Sequence, residues 1–197
     1  MKIKLSLARA LPLAEKIKDA FSPACERIEI AGSIRRKKAM VGDIEILAIP
    51  KSVPAFLVQL CFFGGPVKSV SALDPLISEF MQRNDNFKCG NKNGDLYKNF
   101  LIEIDEDGSE VGLDLFITTA DQWGYIFALR TGPSDFNKAW VTQKSKGGLL
   151  PDNFYFQGGW LYDGLGKRPT PEEADIFRLI GGPIPATDRD EWRRYYE

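Results

Sequence analysis

Two carboxylates stand two positions apart in a stretch whose pattern predicts a β-strand. Asp43 and Glu45 alternate with Ile44 and Ile46 directly after the breaker Gly42. Because side chains two apart in a strand point to the same face, Asp43 and Glu45 project together while the isoleucines face a core. Neighbouring carboxylates repel each other, and a hard divalent cation such as Mg²⁺, which prefers oxygen ligands, relieves that repulsion. The spacing therefore indicates a metal site.

A glycine–serine turn precedes this acidic strand and carries groups that bind phosphate. It follows a strand-like segment, 27–31, and leads into basic residues. Gly32 leaves the backbone amides of the turn accessible, Ser33 offers a hydroxyl, and Arg36 offers a fork of charged donors. The turn and the acidic strand together predict both halves of a metal–nucleotide site. An exposed acidic pair without a metal is the alternative, because acid–x–acid spacing recurs between residues 103 and 107.

A third acid, Asp114, lies in the middle of an apolar strand. Two strand-like runs, 97–105 and 110–118, flank the turn signal Glu-Asp-Gly-Ser and predict a β-hairpin. Val111 and Leu113 lie on the predicted buried face of the second strand, and Asp114 points the other way. A carboxylate among apolar residues costs free energy unless it is hydrated or bound to a cation. The alternative is an exposed residue on a half-solvated sheet.

The segment AGSIRRKKAMVGDIEILAIP resembles the signature of the nucleotidyltransferase superfamily, and within it the palm of family X DNA polymerases, the DNA polymerase beta type. Two arginines after Gly-Ser and a Gly-Asp-x-acid strand carry the resemblance, with Glu45 where the polymerases have Asp. The run Leu-Asp-Leu-Phe resembles the family's strand with the third metal-bridging carboxylate, which would be Asp114. Gly112 stands where the family usually has an arginine.

A later stretch, ALRTGPSDFNKAW at residues 128–140, resembles the thumb segment of the same polymerases. The resemblance implies that Gly132 belongs to the nucleotide-binding segment and that Asn137 hydrogen-bonds the base edge. It also implies that Lys138 lies by the template base and so contacts nucleic acid.

The same stretch departs from the polymerases at the positions that read sugar and template. Leu129 and Arg130 replace the aromatic pair that packs near the incoming sugar in the family, and Arg130 could instead reach a phosphate or a base. Val141 replaces an arginine of the template contact. The deoxy- or ribonucleotide preference and the dependence on a template therefore stay open.

The elements that must position these residues predict an α+β fold. The resemblance implies a nucleotidyltransferase palm over residues 1–120, with a mixed or antiparallel sheet and helices on one face. A small C-terminal α/β thumb lobe over residues 121–197 would clamp the nucleotide and DNA. Caps and apolar spacing predict helices over Pro12–Phe21, after Ser52 through Leu57 and Leu60, from Asp74, from Asp121, over Phe136–Lys146 and over Pro171–Ile180, with a capping box at 170–173. Residues 87–94 are predicted to form a turn-rich loop, and residues 154–162 a small hairpin.

Composition narrows the classes of function. The 197 residues are 44% hydrophobic and 27% charged, which is typical of a globular protein, and the net charge of −1 argues against autonomous nonspecific binding of nucleic acid. The absence of histidine excludes mechanisms with a histidine base and disfavours zinc. Cys25, Cys61 and Cys89 lack CxxC spacing, and no signal peptide or membrane span is predicted, so we expect reduced thiols in a cytoplasmic protein.

The resemblance implies an enzyme that transfers a nucleotidyl group from a (d)NTP to a 3′-hydroxyl with two Mg²⁺ ions, for which Mn²⁺ could substitute. Asp43, Glu45 and Asp114 would be its catalytic and metal-binding residues, and Ser33 and Arg36 would hold the β and γ phosphates. We expect a monomeric repair DNA polymerase on primed or gapped DNA, helped by another protein because the resemblance includes no lyase or helix-hairpin-helix segment. The alternatives are transfer to an RNA end or a protein hydroxyl, and a nucleotide- or end-binding module without catalysis.

Overall fold

The computed structural model describes residues 2–54 and 69–196, which form a mixed α+β protein. The strands are β1 (Leu5–Ser6), β2 (Cys25–Ile30), β3 (Met40–Val41), β4 (Asp43–Pro50), β5 (Ser52–Pro54), β6 (Ser69–Ser71), β7 (Phe87–Asn93), β8 (Tyr97–Glu103), β9 (Glu110–Ile117), β10 (Tyr155–Gln157), β11 (Trp160–Asp163) and β12 (Gly166–Arg168). The helices are α1 (Leu7–Phe21), α2 (Gly32–Arg35), α3 (Leu73–Arg83), α4 (Trp123–Thr131), α5 (Ser134–Val141) and α6 (Glu173–Ile180), and 3₁₀ turns include Ser22–Ala24, Ala120–Gln122, Lys144–Lys146 and Ala186–Tyr195.

The main sheet has the strand order β2-β4-β9-β8-β7. Strands β4 and β9 pair in parallel, and the other three pairs are antiparallel, so the sheet is mixed. The predicted strands around the Gly-Ser turn and the predicted hairpin are confirmed as β2, β4, β8 and β9. The smaller sheets, β1-β3, β5-β6 and β10-β11-β12, are antiparallel.

The two faces of the main sheet pack against different parts of the chain. On one face, Ile44 and Ile46 of β4 are fully buried in a core that includes α1 and α3. On the other face, Leu47 of β4 packs with Trp123 and Phe127 of α4. Helices therefore cover one face and, at one end, the other face too. The cluster of Leu47, Trp123 and Phe127 also joins residues on the two sides of the predicted boundary at 120/121.

Helix α1 begins at Leu7, five residues before the predicted start at Pro12. Proline is common in the first turn of a helix, which is why the sequence pattern favours a start there. The structure instead has Pro12 inside the helix, because buried Ala10 continues the apolar face of Ala14 and Ile17 toward the amino terminus. The burial of this additional helical turn in the core offsets the backbone hydrogen bond that a proline removes.

The prediction of a turn-rich loop at residues 87–94 is wrong, because Phe87–Asn93 form β7 at the edge of the main sheet. Only Phe87 of this strand is buried, and it packs near Phe80 and Phe100. An edge strand exposed over most of its length needs few apolar residues, so its sequence looks like a loop.

The segment after Pro50 differs in part from the prediction. Residues 52–54 form β5, antiparallel to β6, and do not begin a helix. The rest of that predicted helix, including Leu57 and Leu60, lies outside the described residues, as does Cys61.

Residues after 120, here called the C-terminal lobe, contribute a further buried cluster that includes Phe136, Trp140, Ile176 and Phe177. The predicted hairpin at residues 154–162 is extended by β12 into a three-stranded sheet. Helix α5 ends at Val141, earlier than predicted. None of the described helices combines the length and the apolar character needed to cross a membrane.

Helix α6 begins two residues later than predicted. The predicted cap, Thr170, is buried, and its backbone N–H donates to the carbonyl of Asp121. The N-cap is Glu172, whose backbone N–H donates to Asp175 Oδ2 at 2.9 Å. The capping box is therefore shifted along the chain, which frees Glu173 for the ion pairs described below.

Candidate active site

Three carboxylates project from one face of the main sheet. Glu45 of β4 lies directly opposite Asp114 of β9 in the parallel register, and Asp43 lies opposite Gly112. Residues that are paired in neighbouring strands point to the same face, and so do residues two apart in one strand. Asp43, Glu45 and Asp114 therefore share the face that α4 covers farther along β4. The structure thus brings together the three acids that the sequence singles out.

The surroundings of Asp43 and Glu45 disfavour the negatively charged form of their carboxyl groups. Burial raises the pKa of Glu45 to about 7, and the charges of Asp43 and Asp114 add to this effect. Burial and the charge of Asp114 also raise the pKa of Asp43. The cations Arg130, Arg36 and Lys2 act in the opposite direction without cancelling these effects. A site whose carboxylates are hard to ionise together is one that gains from a bound cation.

The three carboxylates are not gathered into a closed cation cage. Within residues 2–54 and 69–196, no three acidic or thiol side chains lie close enough together to form a ready-made metal site. Asp114 is turned toward Tyr97, whose hydroxyl donates to its Oδ1 at 2.6 Å. Mutual repulsion separates such groups in the absence of a cation, so cation binding would require the side chains to turn toward one another.

The Gly-Ser turn forms the short helix α2, and Gly32 at its start allows the turn to approach the acidic strand. Its φ of +62° is strained for other residues, and a Cβ here would lie 1.9 Å from Glu45 Oε2. The backbone N–H of Ala31 also donates to the carbonyl of Glu45 at 2.8 Å. The turn is thereby fixed against the carboxylate of Glu45.

Ser33, the next residue, has a buried hydroxyl. Within the described parts of the chain, its Oγ has no hydrogen-bond partner. Buried polar atoms normally have one, so Ser33 Oγ has hydrogen-bonding capacity that no described residue satisfies.

The two arginines of the turn contact the C-terminal lobe. Arg36 Nη1 donates to the carbonyl of Thr131 at 2.6 Å, and its Nε lies 3.3 Å from Asp190 Oδ2. Arg35 forms a bidentate pair with Glu173, at 2.8 and 2.6 Å, and donates to Thr131 Oγ1 at 2.7 Å. Arg36, which was predicted to bind phosphate, is thus held beside the acidic face with part of its donor set already engaged.

Arg130 also belongs to this site. Its guanidinium carbon lies 3.8 Å from the centroid of the Phe116 ring, and its charge lowers the pKa of Glu45 against the effect of burial. Its Nε is buried without a hydrogen-bond partner among the described residues. The side chain thus offers an unused donor beside the acidic face.

Asn137, which was expected to hydrogen-bond the base edge, uses its side-chain amide within the protein. Its amide nitrogen donates to the carbonyls of Leu129 and Gly132 at 2.7 and 2.9 Å, and its Oδ1 accepts from Trp140 Nε1 at 3.0 Å. Both amide hydrogens are used at the end of α4. Gly132 leaves room for the Asn137 side chain, because a Cβ at position 132 would lie 2.2 Å from Asn137 Oδ1.

Lys138 is exposed on α5 and lines a cavity of about 310 Å³ that contains none of the three acids. Lys146 and Arg193 line the same cavity. The structure therefore groups Lys138 with other cations of the C-terminal lobe and not with the acidic face.

Sequence reasoning missed two residues of the site. Tyr97 holds Asp114, and the only sequence signal was its place at the start of a strand in the same hairpin. The backbone of Lys2 forms an isolated β-bridge with that of Glu110. The Lys2 Nζ would lie 3.8 Å from a Cβ at Gly112, where the resemblance leads one to expect an arginine. No local pattern indicated that Lys2 lies beside Asp43.

Comparison with known proteins finds neither a matching family model nor a significantly similar curated protein.

Proposed function

We propose that this protein is a metal-dependent nucleotidyltransferase, and in the first place a small DNA repair polymerase of the family X type. The observation that carries the proposal is the convergence of Asp43, Glu45 and Asp114 on one sheet face, with Gly32 packed directly against Glu45. Three carboxylates on one sheet face, beside a turn with an unused hydroxyl, suit the binding of a nucleotide with its metal ions.

The residues fit a hard divalent cation by the chemistry of their donors. Asp43, Glu45 and Asp114 offer only oxygen ligands, and raised pKa values at Asp43 and Glu45 reflect charge that lacks compensation. Two bound Mg²⁺ ions, or Mn²⁺ in their place, would lower the pKa of the acceptor hydroxyl and neutralise charge on the phosphates.

The chain's own residues would orient the nucleotide and the proton acceptor. Ser33 and Arg36 bind the β and γ phosphates and stabilise charge on the leaving pyrophosphate, and Arg130 supplies its unused donor nearby. The acceptor oxygen forms a bond to the α-phosphorus as the bond to pyrophosphate breaks. Tyr97 holds one oxygen of Asp114, which leaves the other to take the proton of the acceptor hydroxyl.

The test is extension of a labelled primer on a one-nucleotide gapped duplex with Mg²⁺ or Mn²⁺, each dNTP and NTP being added singly. We expect addition of the complementary nucleotide only, and loss of addition by at least about a thousandfold in Asp114→Asn, since removal of one metal-bridging charge raises the barrier by several kcal/mol. The variant must keep the melting temperature of the parent. Untemplated addition, or activity that survives in Asp114→Asn, would contradict the polymerase.

Transfer to a non-DNA acceptor, such as an RNA end or a protein hydroxyl, is the second candidate. The engaged amide of Asn137 favours it, because the residue expected to read the base is used inside the protein. Glu45, Val141 and the net charge of −1 point the same way. Pyrophosphate release with such an acceptor, but without primer extension, would support this candidate.

A further inference from the structure

Asp190 lies on the basic segment that follows the Gly-Ser turn. It belongs to the 3₁₀ segment Ala186–Tyr195, and its Oδ2 is 3.3 Å from Arg36 Nε and 3.3 Å from Lys38 Nζ. One carboxylate oxygen is therefore shared by two cations. A phosphate oxygen bound by the same two side chains would take this position.

The contact differs from the neighbouring ion pair of Glu173. The Arg35–Glu173 bonds are 2.6 and 2.8 Å long, and the Glu173 side chain is 15% exposed. The Asp190 contacts are longer than a strong charge-assisted bond, and the side chains of Asp190 and Lys38 are 28% and 46% exposed. Solvent therefore reaches the Asp190 pair and competes with it, whereas the Glu173 pair is a fixed part of the fold.

Arg36 does not depend on Asp190 for its orientation. Its side chain is 14% exposed, and the 2.6 Å bond from Nη1 to the carbonyl of Thr131 holds the guanidinium from the other side. If Asp190 leaves, Arg36 keeps its position and presents Nε to another anion. The anion at this position can thus be exchanged while the cation stays in place.

We infer that Asp190 is a built-in competitor for the phosphates of the nucleotide, and that it thereby sets the affinity of the site for polyphosphate. The inference rests on the proposed function only in that Arg36 belongs to its phosphate-binding group. In the free protein, Asp190 relieves the repulsion between Arg36 and Lys38. A polyphosphate carries several negative charges and replaces the single carboxylate, and the C-terminal segment then loses this contact.

The experiment is calorimetric titration with inorganic tripolyphosphate, without a metal ion and at fixed ionic strength. We expect Asp190→Asn to bind tripolyphosphate about fivefold more tightly than the unaltered protein, because one partly exposed ion pair no longer competes. Arg36→Ala in the Asp190→Asn background should remove the gain. Asp188→Asn is the matched control, since Asp188 lies in the same segment but bonds Arg194 and Tyr195.

A second measurement follows the displaced segment itself. Hydrogen exchange of the amides of residues 186–195 should become faster when tripolyphosphate binds to the unaltered protein, and should change little in Asp190→Asn. Equal or weaker binding by Asp190→Asn, or slower exchange on binding, would overturn the inference, because Asp190 would then be a spectator or would support the site. Tripolyphosphate needs no catalysis, so a failure of nucleotidyl transfer would leave this result unaffected.

Discussion

At Glu45, burial and the charges of Asp43 and Asp114 act in the same direction and raise the pKa from 4.5 to about 7. Between these two pH values the unfolded chain has lost a proton that the folded chain keeps. Stability should therefore fall as the pH rises from about 4.5 to about 7, by up to about 3 kcal/mol from this group. Urea unfolding of the metal-free protein at a series of pH values measures the effect.

Glu45→Gln is the matched comparison, because it keeps the shape of the side chain and has no charge. We expect the variant to be more stable than the unaltered protein above pH 7 and to lack this part of the pH dependence. Parallel stability curves for the two proteins would show that Glu45 is not held in its neutral form. Mg²⁺ should stabilise the unaltered protein at pH 8 more than Glu45→Gln, since the variant lacks one charged ligand.

In the proposed reaction, Tyr97 would act through Asp114 as a positioning residue, because its hydroxyl donates to Asp114 Oδ1. Removal of its hydroxyl in Tyr97→Phe breaks a hydrogen bond to a charged group, which is worth about 1.5–3 kcal/mol. We expect the rate of the transfer step to fall by about tenfold or more while the KM for the nucleotide is retained.

Tyr162→Phe controls for the loss of a tyrosine hydroxyl elsewhere, since the Tyr162 ring stacks on Tyr155 in the small sheet of the C-terminal lobe. Single-turnover kinetics separates the two variants. A change in KM alone for Tyr97→Phe would argue against positioning of Asp114.

At the scale of single residues, the sequence predicted the position of the three acids better than the hydrogen-bond partners of the site residues. Asp43 and Glu45 share a face because strand alternation is a local property, and Asp114 was unusual for its apolar neighbours. The partners of Asn137 depend on how α4 meets α5, so a motif-based role could not anticipate that its amide is already used.

At the scale of the elements, the conformation of the Gly-Ser turn depends on Gly32. Gly32→Ala should cost about 1–2 kcal/mol of stability, because φ is positive there. It should reduce transfer by more than stability alone implies, since the new Cβ would meet the carboxylate of Glu45. That carboxylate is the end of a flexible side chain, so it can move away, but it then leaves the acidic face.

Gly42→Ala provides the control, because it precedes Asp43 directly and a Cβ there meets no atom within 4 Å. Thermal melts and transfer rates of both variants are the measurements. Equal losses in Gly32→Ala and Gly42→Ala would contradict the close approach of the turn to Glu45.

The main strands and helices were predictable because their apolar residues repeat with a clear period, as in β4 and β9. The start of α1 and the identity of β7 were not, for different reasons. Helix α1 extends past Pro12 because of contacts with the sheet, and β7 is an edge strand whose sequence is mostly polar. Both depend on neighbours that a local pattern does not contain.

For the whole molecule, Glu173 is an ionic link between the C-terminal lobe and the Gly-Ser turn. It binds Arg35 and also Arg189, whose side chain is only 2% exposed. Burial would raise the pKa of Glu173, but Arg35 and Arg189 outweigh it and hold the pKa below its usual value. The stability that ionised Glu173 gives to the fold is fully present above the pKa of this group in the unfolded chain. It is lost as the pH falls through the lower pKa of Glu173 in the folded protein.

Glu173→Gln should therefore destabilise the fold by about 3–5 kcal/mol, because it leaves Arg189 buried without a counter-charge. Glu172→Gln, one residue earlier, breaks a more exposed pair with Arg27 and should cost less than about 1 kcal/mol. Urea unfolding at pH 7 compares them. Similar values for both variants would show that the Glu173 pair adds no more than a surface contact.

Links of this kind are hard to read from a sequence. Arg35 and Glu173 are 138 positions apart, and each stands in a locally ordinary charged stretch. The resemblance to a palm and a thumb suggested two lobes, but the ionic contacts between them follow only from the way in which α4 docks on the sheet.

Strand β7 leaves one edge of the main sheet without a further strand within the described residues. Lys88 and Lys92 lie along this edge, and Lys88 is paired with Glu103 at 2.8 Å. Charged side chains on an open edge oppose the addition of a strand from another molecule. The charged residues that led to the loop prediction thus oppose aggregation. Replacing them with apolar β-formers should lower the concentration at which the protein stays in solution.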